Sequence, residues 1–147
     1  MWKKTLLNLW LLISLSYSIS ANYITFYSDS LRAEDTYNSG IIFFKNNDYQ
    51  QSIDSFLVSS QLRCKLYSEN SYKYGVAQNA LGITYKSLGD YNKSIDHFLQ
   101  AEHAYQSDNK SNKASLSRLY NNIGNVYKSK LDFGTALDYF ERSVALL

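Results

Sequence analysis

Residues 121–127 read Asn-Asn-Ile-Gly-Asn-Val-Tyr, and Asp132, Phe133, Ala136 and Phe140 follow them. Most of this pattern occurs twice earlier in the chain, with each copy 42 residues from the next. The positions that recur in all three copies are Gly40, Gly82 and Gly124; Phe43, Tyr85 and Tyr127; Asp48, Asp90 and Asp132; Tyr49, Tyr91 and Phe133; and Phe56, Phe98 and Phe140. A fixed period of this size indicates an array of helical repeats.

Between these fixed positions, apolar residues recur at intervals of three and four, which predicts amphipathic helices. Two such helices fit into each copy. The predicted fold is therefore all-α, with three helix-turn-helix repeats at about 31–67, 71–108 and 112–147. The chain contains no proline, which is consistent with long uninterrupted helices.

An aspartate in each copy precedes an aromatic residue at the expected start of the second helix. Its side-chain oxygen can accept a hydrogen bond from the exposed N–H groups of that helix terminus. We therefore predict three N-caps, at Asp48, Asp90 and Asp132.

A glycine in each copy falls inside the first helix, where it costs about 1 kcal/mol relative to alanine. Three such glycines, Gly40, Gly82 and Gly124, suggest that a large ring packs onto each missing side chain. The expected rings come sixteen residues later and belong to Phe56, Phe98 and Phe140.

The composition is 45% hydrophobic and 16% aromatic over 147 residues, which excludes a disordered protein and suits one domain. The net charge of +2 arises from Lys3 and Lys4, and the remaining charges are balanced and interspersed. Such a balance gives no electrostatic footprint for nucleic acid or for an anionic membrane surface. The single cysteine, Cys64, excludes an intramolecular disulfide and is interpreted as a buried structural thiol, with an intermolecular or redox role as the alternative.

The N-terminus has the order of a secretory signal peptide, over residues 1–20. Lys3 and Lys4 precede an apolar run from 5 to 19, and small residues permit cleavage after Ser20. The prediction is export to the periplasm or the exterior, with 21–30 as a linker or the approach to the first helix. The alternative is an uncleaved membrane anchor, although a spanning helix needs about 20 apolar residues.

The pattern 81–85, Leu-Gly-Ile-Thr-Tyr, with 89–91, Gly-Asp-Tyr, and Phe98, resembles the tetratricopeptide repeat family. The third copy resembles it equally, and the first copy is the most divergent. The usual period is about 34 residues, and the longer repeats here are similar to those of kinesin light chain and the Pins/LGN group. The usual proline after the second helix is absent; Cys64 and Gln106 stand in its place. The resemblance implies an α-α superhelix whose first helices line a concave groove.

The sequence offers little support for an enzyme. His97 and His103 are six residues apart, which does not place them on one helical face. The cysteine, histidines and carboxylates lack metal-ligand spacing, and there is no glycine-rich phosphate loop. We therefore predict a non-catalytic protein with no cofactor, no metal and no small-molecule substrate.

The candidate binding residues lie on the first helices of the repeats. Arg118, Asn122 and Asn125 share one face of the third, since they are spaced by four and three. Asn79 and Lys86 offer comparable chemistry in the second repeat. The resemblance to the Pins/LGN group implies that such residues hold an extended peptide. The alternative is that they are polar residues on a solvated helix face.

The predicted last helix, 133–147, presents apolar residues without a polar covering face. One hypothesis is a groove that binds a protein or peptide, with the array forming part of a longer envelope signalling protein. The other is a self-association element that acts through this last helix, giving a homo-oligomer.

Overall fold

The computed structural model describes residues 2–108 and 112–147, with side chains described from Ser14 onward. Six α-helices make up this part of the chain, and it contains no strand. The helices are α1 (Trp2–Lys45), α2 (Tyr49–Tyr67), α3 (Tyr72–Leu88), α4 (Tyr91–Ser107), α5 (Lys113–Ser129) and α6 (Phe133–Val144). They form three antiparallel pairs, α1/α2, α3/α4 and α5/α6, stacked in chain order, so the predicted all-α solenoid is confirmed.

Helix α1 runs without interruption through residues 21–30, so this stretch is the approach to the first helix and not a linker. No glycine or proline precedes Gly40 in the sequence to break the helix. Contacts with α2 also stabilise this part of α1. The Phe26 ring meets the Tyr67 ring edge-on at 6.0 Å, and the Ser30 hydroxyl lies 2.9 Å from the Tyr67 hydroxyl.

The first 20 residues, predicted as a leader, are helical from Trp2 onward, and the side chains of 1–13 lie outside the described part of the chain. Across the described residues, we find no helix that combines the length and the apolar character needed to cross a membrane.

Each repeat turns from its first to its second helix through one residue in the left-handed region. These residues are Asn47 (φ 64°), Gly89 (φ 87°) and Leu131 (φ 62°). The N–H of the following aspartate then donates to the carbonyl of the recurring aromatic residue, at 2.9 to 3.0 Å in all three repeats. The turn geometry is therefore shared, although only the second repeat has the glycine that adopts this conformation without strain.

The predicted aspartate caps form in two of the three repeats. A carboxylate oxygen of Asp90 accepts from the Lys93 N–H at 3.2 Å, and one of Asp132 accepts from the Thr135 N–H at 3.1 Å. Asp48 occupies the N-cap position of α2 but makes no side-chain cap bond. Its backbone angles, φ −80° and ψ 63°, are close to those of Asp90, φ −83° and ψ 77°, so the backbone conformation does not explain the difference. The predicted N-cap position of Asp48 is therefore confirmed, and the predicted side-chain hydrogen bond is wrong.

The two helices of each repeat meet where a glycine faces a phenylalanine. A Cβ added to Gly40 would lie 2.6 Å from the nearest atom of Phe56, and one added to Gly82 would lie 2.5 Å from Phe98. The third pair, Gly124 and Phe140, is equally close, at 2.6 Å. These are the contacts that the sixteen-residue spacing predicted, and they let the paired helices approach more closely than alanine would allow.

Buried serines add a second contact to the same interface. Ser52 of α2 donates to the Gly40 carbonyl at 2.9 Å, and Ser94 of α4 donates to the Gly82 carbonyl at 2.7 Å. Ala136 takes the equivalent place in α6. Sequence reasoning missed these serines, although they lie 42 residues apart and could have been found from the repeat register.

Successive repeats are joined by side-chain hydrogen bonds at equivalent positions. Gln78 of α3 donates to the Ser60 hydroxyl of α2 at 2.8 Å. The Tyr120 hydroxyl of α5 donates to a Glu102 carboxylate oxygen of α4 at 2.9 Å. Gln78 and Tyr120 are 42 residues apart, as are Ser60 and Glu102, and both donors are buried. These hydrogen bonds supplement the apolar packing between repeats.

His97 extends the hydrogen-bond network of Gln78. Its Nδ1 lies 2.6 Å from the Gln78 Oε1, and its ring stacks on Tyr85 with the centroids 5.2 Å apart. Because Gln78 donates through its Nε2, its Oε1 is the acceptor, which assigns the hydrogen to Nδ1 of His97. Burial lowers the pKa of His97; nearby Asp96 opposes this shift, and Lys93 adds to it.

The glycine–phenylalanine contact gives a direct test of the packing. We expect Gly82→Ala to lower the free energy of unfolding by about 1–2 kcal/mol, because overpacking outweighs the helix preference of alanine. Phe98 is fully buried and cannot move aside. Gly134→Ala is the control, because the nearest atom to its added Cβ lies 3.9 Å away. Chemical denaturation measures both variants, and an equal effect in the two would contradict this packing.

The buried histidine predicts a pH dependence of stability. The pKa of His97 in the folded protein lies below its unfolded value of about 6.5, so the unfolded chain binds more protons as the pH falls. The stability contributed by neutral His97 is therefore present above about pH 6.5 and is lost below it. We expect His97→Gln to flatten the Tm profile between about pH 7 and pH 5. Exposed His103→Gln is the control and should leave the slope unchanged.

Candidate functional site

The first helices of the repeats form one face of the solenoid, and two open cavities lie along it. The polar cavity, between α3 and α5, has a volume of about 440 Å³. It is lined by Tyr72, Val76, Asn79, Ile83, Tyr105, Ser115, Arg118, Asn121 and Asn122.

The apolar cavity lies between α1 and α3 and has a volume of about 280 Å³. It is lined by Tyr37, Ile41, Phe44, Lys45, Phe56, Asn79, Ala80, Ile83 and Thr84. Because Asn79 and Ile83 line both cavities, the two form one continuous surface, which we call the groove. It crosses all three repeats.

Three of the five predicted binding residues line the groove. Arg118, Asn122 and Asn79 lie in the polar cavity, where Asn122 donates to the Asn79 side-chain oxygen at 3.3 Å. Asn125 lies outside both cavities, and its amide donates to the backbone and side-chain oxygens of Asn121 on the previous turn of α5. Lys86 also lies outside both cavities, near the end of α3.

Sequence reasoning missed several residues of the groove, of which Asn121, Tyr72 and Ser115 are the most polar. The repeat register could have identified Asn121 as a groove residue. Tyr37, Asn79 and Asn121 are 42 residues apart, and all three line the groove. Tyr72 and Ser115 do not recur in this way. They meet only because the first turns of α3 and α5 lie side by side, with their hydroxyls 3.1 Å apart.

The charged groups that line the groove are both basic. Arg118 and Lys45 are exposed, and no aspartate or glutamate is among the described residues that line either cavity. Arg118 is oriented along α5 by a 3.3 Å hydrogen bond to the Ser115 hydroxyl. The groove therefore presents positive charge and amide groups together, a combination suited to carboxylates and to peptide backbone.

Arg63 of α2 packs against Tyr37, which lines the apolar cavity of the groove. Arg63 is buried, and its guanidinium lies 4.3 Å from the centre of the Tyr37 ring. The guanidinium donates to the Glu34 carboxylate at 3.0 Å and to the Lys73 carbonyl at 3.1 Å. Its Nε has no hydrogen-bond partner among the described residues. This stacking fixes the orientation of the Tyr37 ring in the apolar cavity.

Two tyrosines of the groove, Tyr37 and Tyr105, act as neutral hydroxyl groups. Burial raises the pKa of Tyr37, and burial also raises the pKa of Tyr105 far above its ordinary value. Neither phenol ionises near neutral pH. In the part of the chain that the structure describes, no group of three or more histidine, cysteine, aspartate or glutamate side chains could hold a metal ion.

Comparison with protein-family models gives two matches, both described as tetratricopeptide repeat. The first covers residues 32–107, which is more than half of the chain, and the second covers residues 117–146. A search of curated proteins finds no match.

Several solved structures have a similar fold. BtubC (BKLC) from P. vanneervenii shares 24% identity with a TM-score of 0.76, over 90% of this chain and 53% of that protein. The TPR domain of Arabidopsis FLU shares 16% identity with a TM-score of 0.72, over 80% of this chain and 95% of that domain. MamA shares 24% identity with a TM-score of 0.60, over 78% of this chain and 57% of that protein. The chain thus spans about half the length of BtubC and of MamA, and these identities show a common fold alone.

Proposed function

The chain belongs to the tetratricopeptide repeat family, and we propose that its groove binds an extended segment of a protein partner without catalysing a reaction. Tetratricopeptide repeats mediate protein–protein interaction, and this general role is the premise. The finer proposal concerns two points. The binding surface is the face formed by α1, α3 and α5, and the bound segment of the partner is extended.

One observation carries the proposal: the groove is continuous across the three repeats and rich in side-chain amides. Asn79, Asn121 and Asn122 lie together in the polar cavity. Each amide can donate two hydrogen bonds and accept two. The Asn122–Asn79 bond uses one donor and one acceptor, and the bond from Asn125 uses one acceptor site of the Asn121 side chain. An extended segment presents unpaired N–H and C=O groups along its length, which such amides can satisfy.

Self-association through α6 is a second candidate function, favoured by the exposed apolar face of that helix. Phe133 is 63% exposed, Leu137 is 58% exposed and Val144 is 68% exposed. Val144 is at the same repeat position as Ser60 and Glu102. In the first two repeats, the first helix of the next repeat packs over that position. The exposed face of α6 could therefore accept another helix.

Two copies joined through this face would pair symmetrically. In head-to-tail stacking, α6 would meet the α1 positions that correspond to Tyr74 and Gln78 of α3. Those positions are Arg32 and Thr36. Burying an unpaired arginine under apolar side chains is costly, so α6-to-α6 pairing is the favoured arrangement.

We also propose that the protein is exported, with cleavage after Ser20. Loss of residues 1–20 is compatible with the fold, because the described ring and hydrogen-bond contacts between α1 and α2 involve Phe26 and later residues. N-terminal sequencing of the protein recovered from the periplasm or medium of an expressing cell should read Ala21 first. Recovery only from the cytoplasm, with an intact N-terminus, would contradict export.

The groove proposal is tested by partner capture from a cell-envelope extract. We expect the double variant Arg118→Ala and Asn122→Ala to lose at least about tenfold of the partner retained by the unaltered chain, because hydrogen bonds to charged groups contribute about 1.5–3 kcal/mol. The control is Lys113→Ala with Lys128→Ala, two exposed residues of the same helix. Circular dichroism checks that both variants fold equally.

The outcomes separate the two candidate functions. A partner that the control retains and the groove variant loses supports the groove. Equal capture of the same partner by both variants contradicts it. Self-association through α6 is favoured if the capture recovers only further copies of the protein. In that case the mass measured by sedimentation should rise with protein concentration, and Leu137→Lys should lower it again.

A further inference from the structure

Another cavity lies outside the groove, on the opposite side of α3. It has a volume of about 300 Å³ and is lined by Glu69, Tyr74, Leu99, Gln100 and His103. Tyr74 and the groove residue Val76 are two positions apart on α3, so their side chains point in nearly opposite directions. None of the described residues that line this cavity also lines the groove. We call this cavity the outer pocket.

The polar residues of the outer pocket do not recur in the other repeats. The position 42 residues before Tyr74 holds Arg32, and the position 42 residues after it holds Leu116. Gln100 is likewise replaced by Val58 in the first repeat. Residues that hold the repeats together, such as the glycines and their phenylalanines, recur in every repeat. The fold therefore does not account for the polar residues of the outer pocket.

The outer pocket presents hydrogen-bond acceptors around an apolar surface. The Tyr74 hydroxyl donates to the Gln100 Oε1 at 2.8 Å, and both oxygens can still accept a hydrogen bond. The Glu69 carboxylate only accepts, and an imidazole such as that of His103 has one accepting nitrogen when it is neutral. Leu99 and the ring of Tyr74 supply the apolar surface. Such a lining fits a group that only donates, carried on an aliphatic stem.

The Glu69 carboxylate lies near the ring of Tyr74. Burial is the main cause that raises the pKa of Tyr74. The Cys64 thiol and the Glu69 carboxylate add to this shift, and a hydrogen bond with Gln78 opposes it. Tyr74 is therefore a neutral phenol at neutral pH. The face of such a ring attracts a cation within about 6 Å, and the carboxylate can bind the same cation from the side.

The charge around the outer pocket is negative. Glu69 is its acidic lining residue, and no lysine or arginine is among the described residues that line it. Asp96, Gln100 and His103 share one face of α4, since they are spaced by four and three. This spacing places a second carboxylate about 6 Å along the helix from Gln100.

Nearby lysines do not neutralise this charge. Each of the three lysines closest along the chain to Glu69 or Asp96 has a partner outside the pocket: Lys65 pairs with Asp29 at 2.8 Å, Lys93 pairs with Asp90 at 3.0 Å, and the Lys73 Nζ lies 3.3 Å from the Tyr67 hydroxyl. Glu69 forms no ion pair with another described residue. Its carboxylate is therefore available to a cation from outside the chain.

We propose that the outer pocket binds an arginine side chain of a protein partner. The Glu69 carboxylate can accept two parallel hydrogen bonds from the guanidinium, and the Tyr74 ring can stack on its plane. The aliphatic stem of the arginine then lies on Leu99. A lysine has the same charge but lacks the planar group that pairs with a carboxylate at two points. The volume exceeds the roughly 150 Å³ of an engineered cavity that binds benzene, so a side chain of this size fits.

The exposed surface beside the outer pocket favours a protein segment over free arginine. Leu99 is 44% exposed, and Gln100 and His103 are also exposed. Residues that flank a bound arginine would cover this surface, and arginine is enriched among the residues that anchor protein interfaces. Free arginine would leave most of the surface in contact with water.

The test is a displayed library of random decapeptides, selected on the full-length protein that carries Arg118→Ala and Asn122→Ala. These two substitutions reduce the selection of peptides that bind the groove. We expect arginine to be enriched among the selected peptides. Adding Glu69→Lys should abolish this enrichment, because it places a positive charge beside the arginine site. Glu69 is exposed in the loop between α2 and α3, so the variant should fold, which circular dichroism checks.

Glu141→Lys is the matched control. It makes the same charge change at an exposed acidic residue of α6 outside the pocket, so arginine should remain enriched. For one enriched peptide, fluorescence anisotropy should show Kd rising about tenfold when its arginine is replaced by citrulline, which keeps the shape of the side chain and removes its charge. Free arginine at the concentration of the peptide should not displace it.

Four results would overturn the inference. They are selection without arginine enrichment, arginine enrichment that Glu69→Lys leaves unchanged, an equal Kd for the citrulline peptide, and displacement of the peptide by an equal concentration of free arginine. The second would assign the arginine to another acidic surface, and the last would identify a small-molecule site. None of these decides the proposed function, because the capture experiment with Arg118→Ala and Asn122→Ala leaves Glu69 unaltered.

Discussion

The packing of a phenylalanine ring on a glycine backbone holds each pair of helices together, and the rest of the architecture depends on it. Each contact brings ring carbons to within 2.6 Å of where a Cβ would lie, so no other residue type fits without displacement. Repeating one contact every 42 residues makes the three pairs nearly identical building blocks. Identical pairs stack with a constant rotation, which produces a solenoid and not a closed bundle.

The stacking determines which surface remains available for binding. The second helix of one repeat packs against the first helix of the next, and hydrogen bonds such as Gln78–Ser60 and Tyr120–Glu102 supplement this contact. Among the described residues, these contacts leave one face of each first helix without a partner. Because the first helices lie side by side, their unpartnered faces together form the groove. The residues that each repeat contributes make one part of the groove polar and the other apolar.

Much of the fold could be predicted from the sequence, because the determining contacts lie at fixed spacing. The glycines, the phenylalanines and two aspartate caps follow from the period, since every copy repeats the same local geometry. The sequence left open whether 21–30 is a linker or the approach to the first helix, because the support for α1 there comes from Tyr67 of the paired helix and not from neighbouring residues. Asp48 occupies the same position as the other caps but makes no side-chain cap bond, a difference that no spacing reveals.

By itself, the sequence determined the repeat length, the helical pairs and the residue types on each first helix, because these depend on local periodicity. Only the tertiary structure decided which of those residues act together. It brought Arg118, Asn122 and Asn79 into one cavity and left Asn125 and Lys86 outside. It also placed Tyr72 beside Ser115. The physical reason is that the rotation and offset between successive repeats arise from packing between helices, which the sequence of a single helix does not encode.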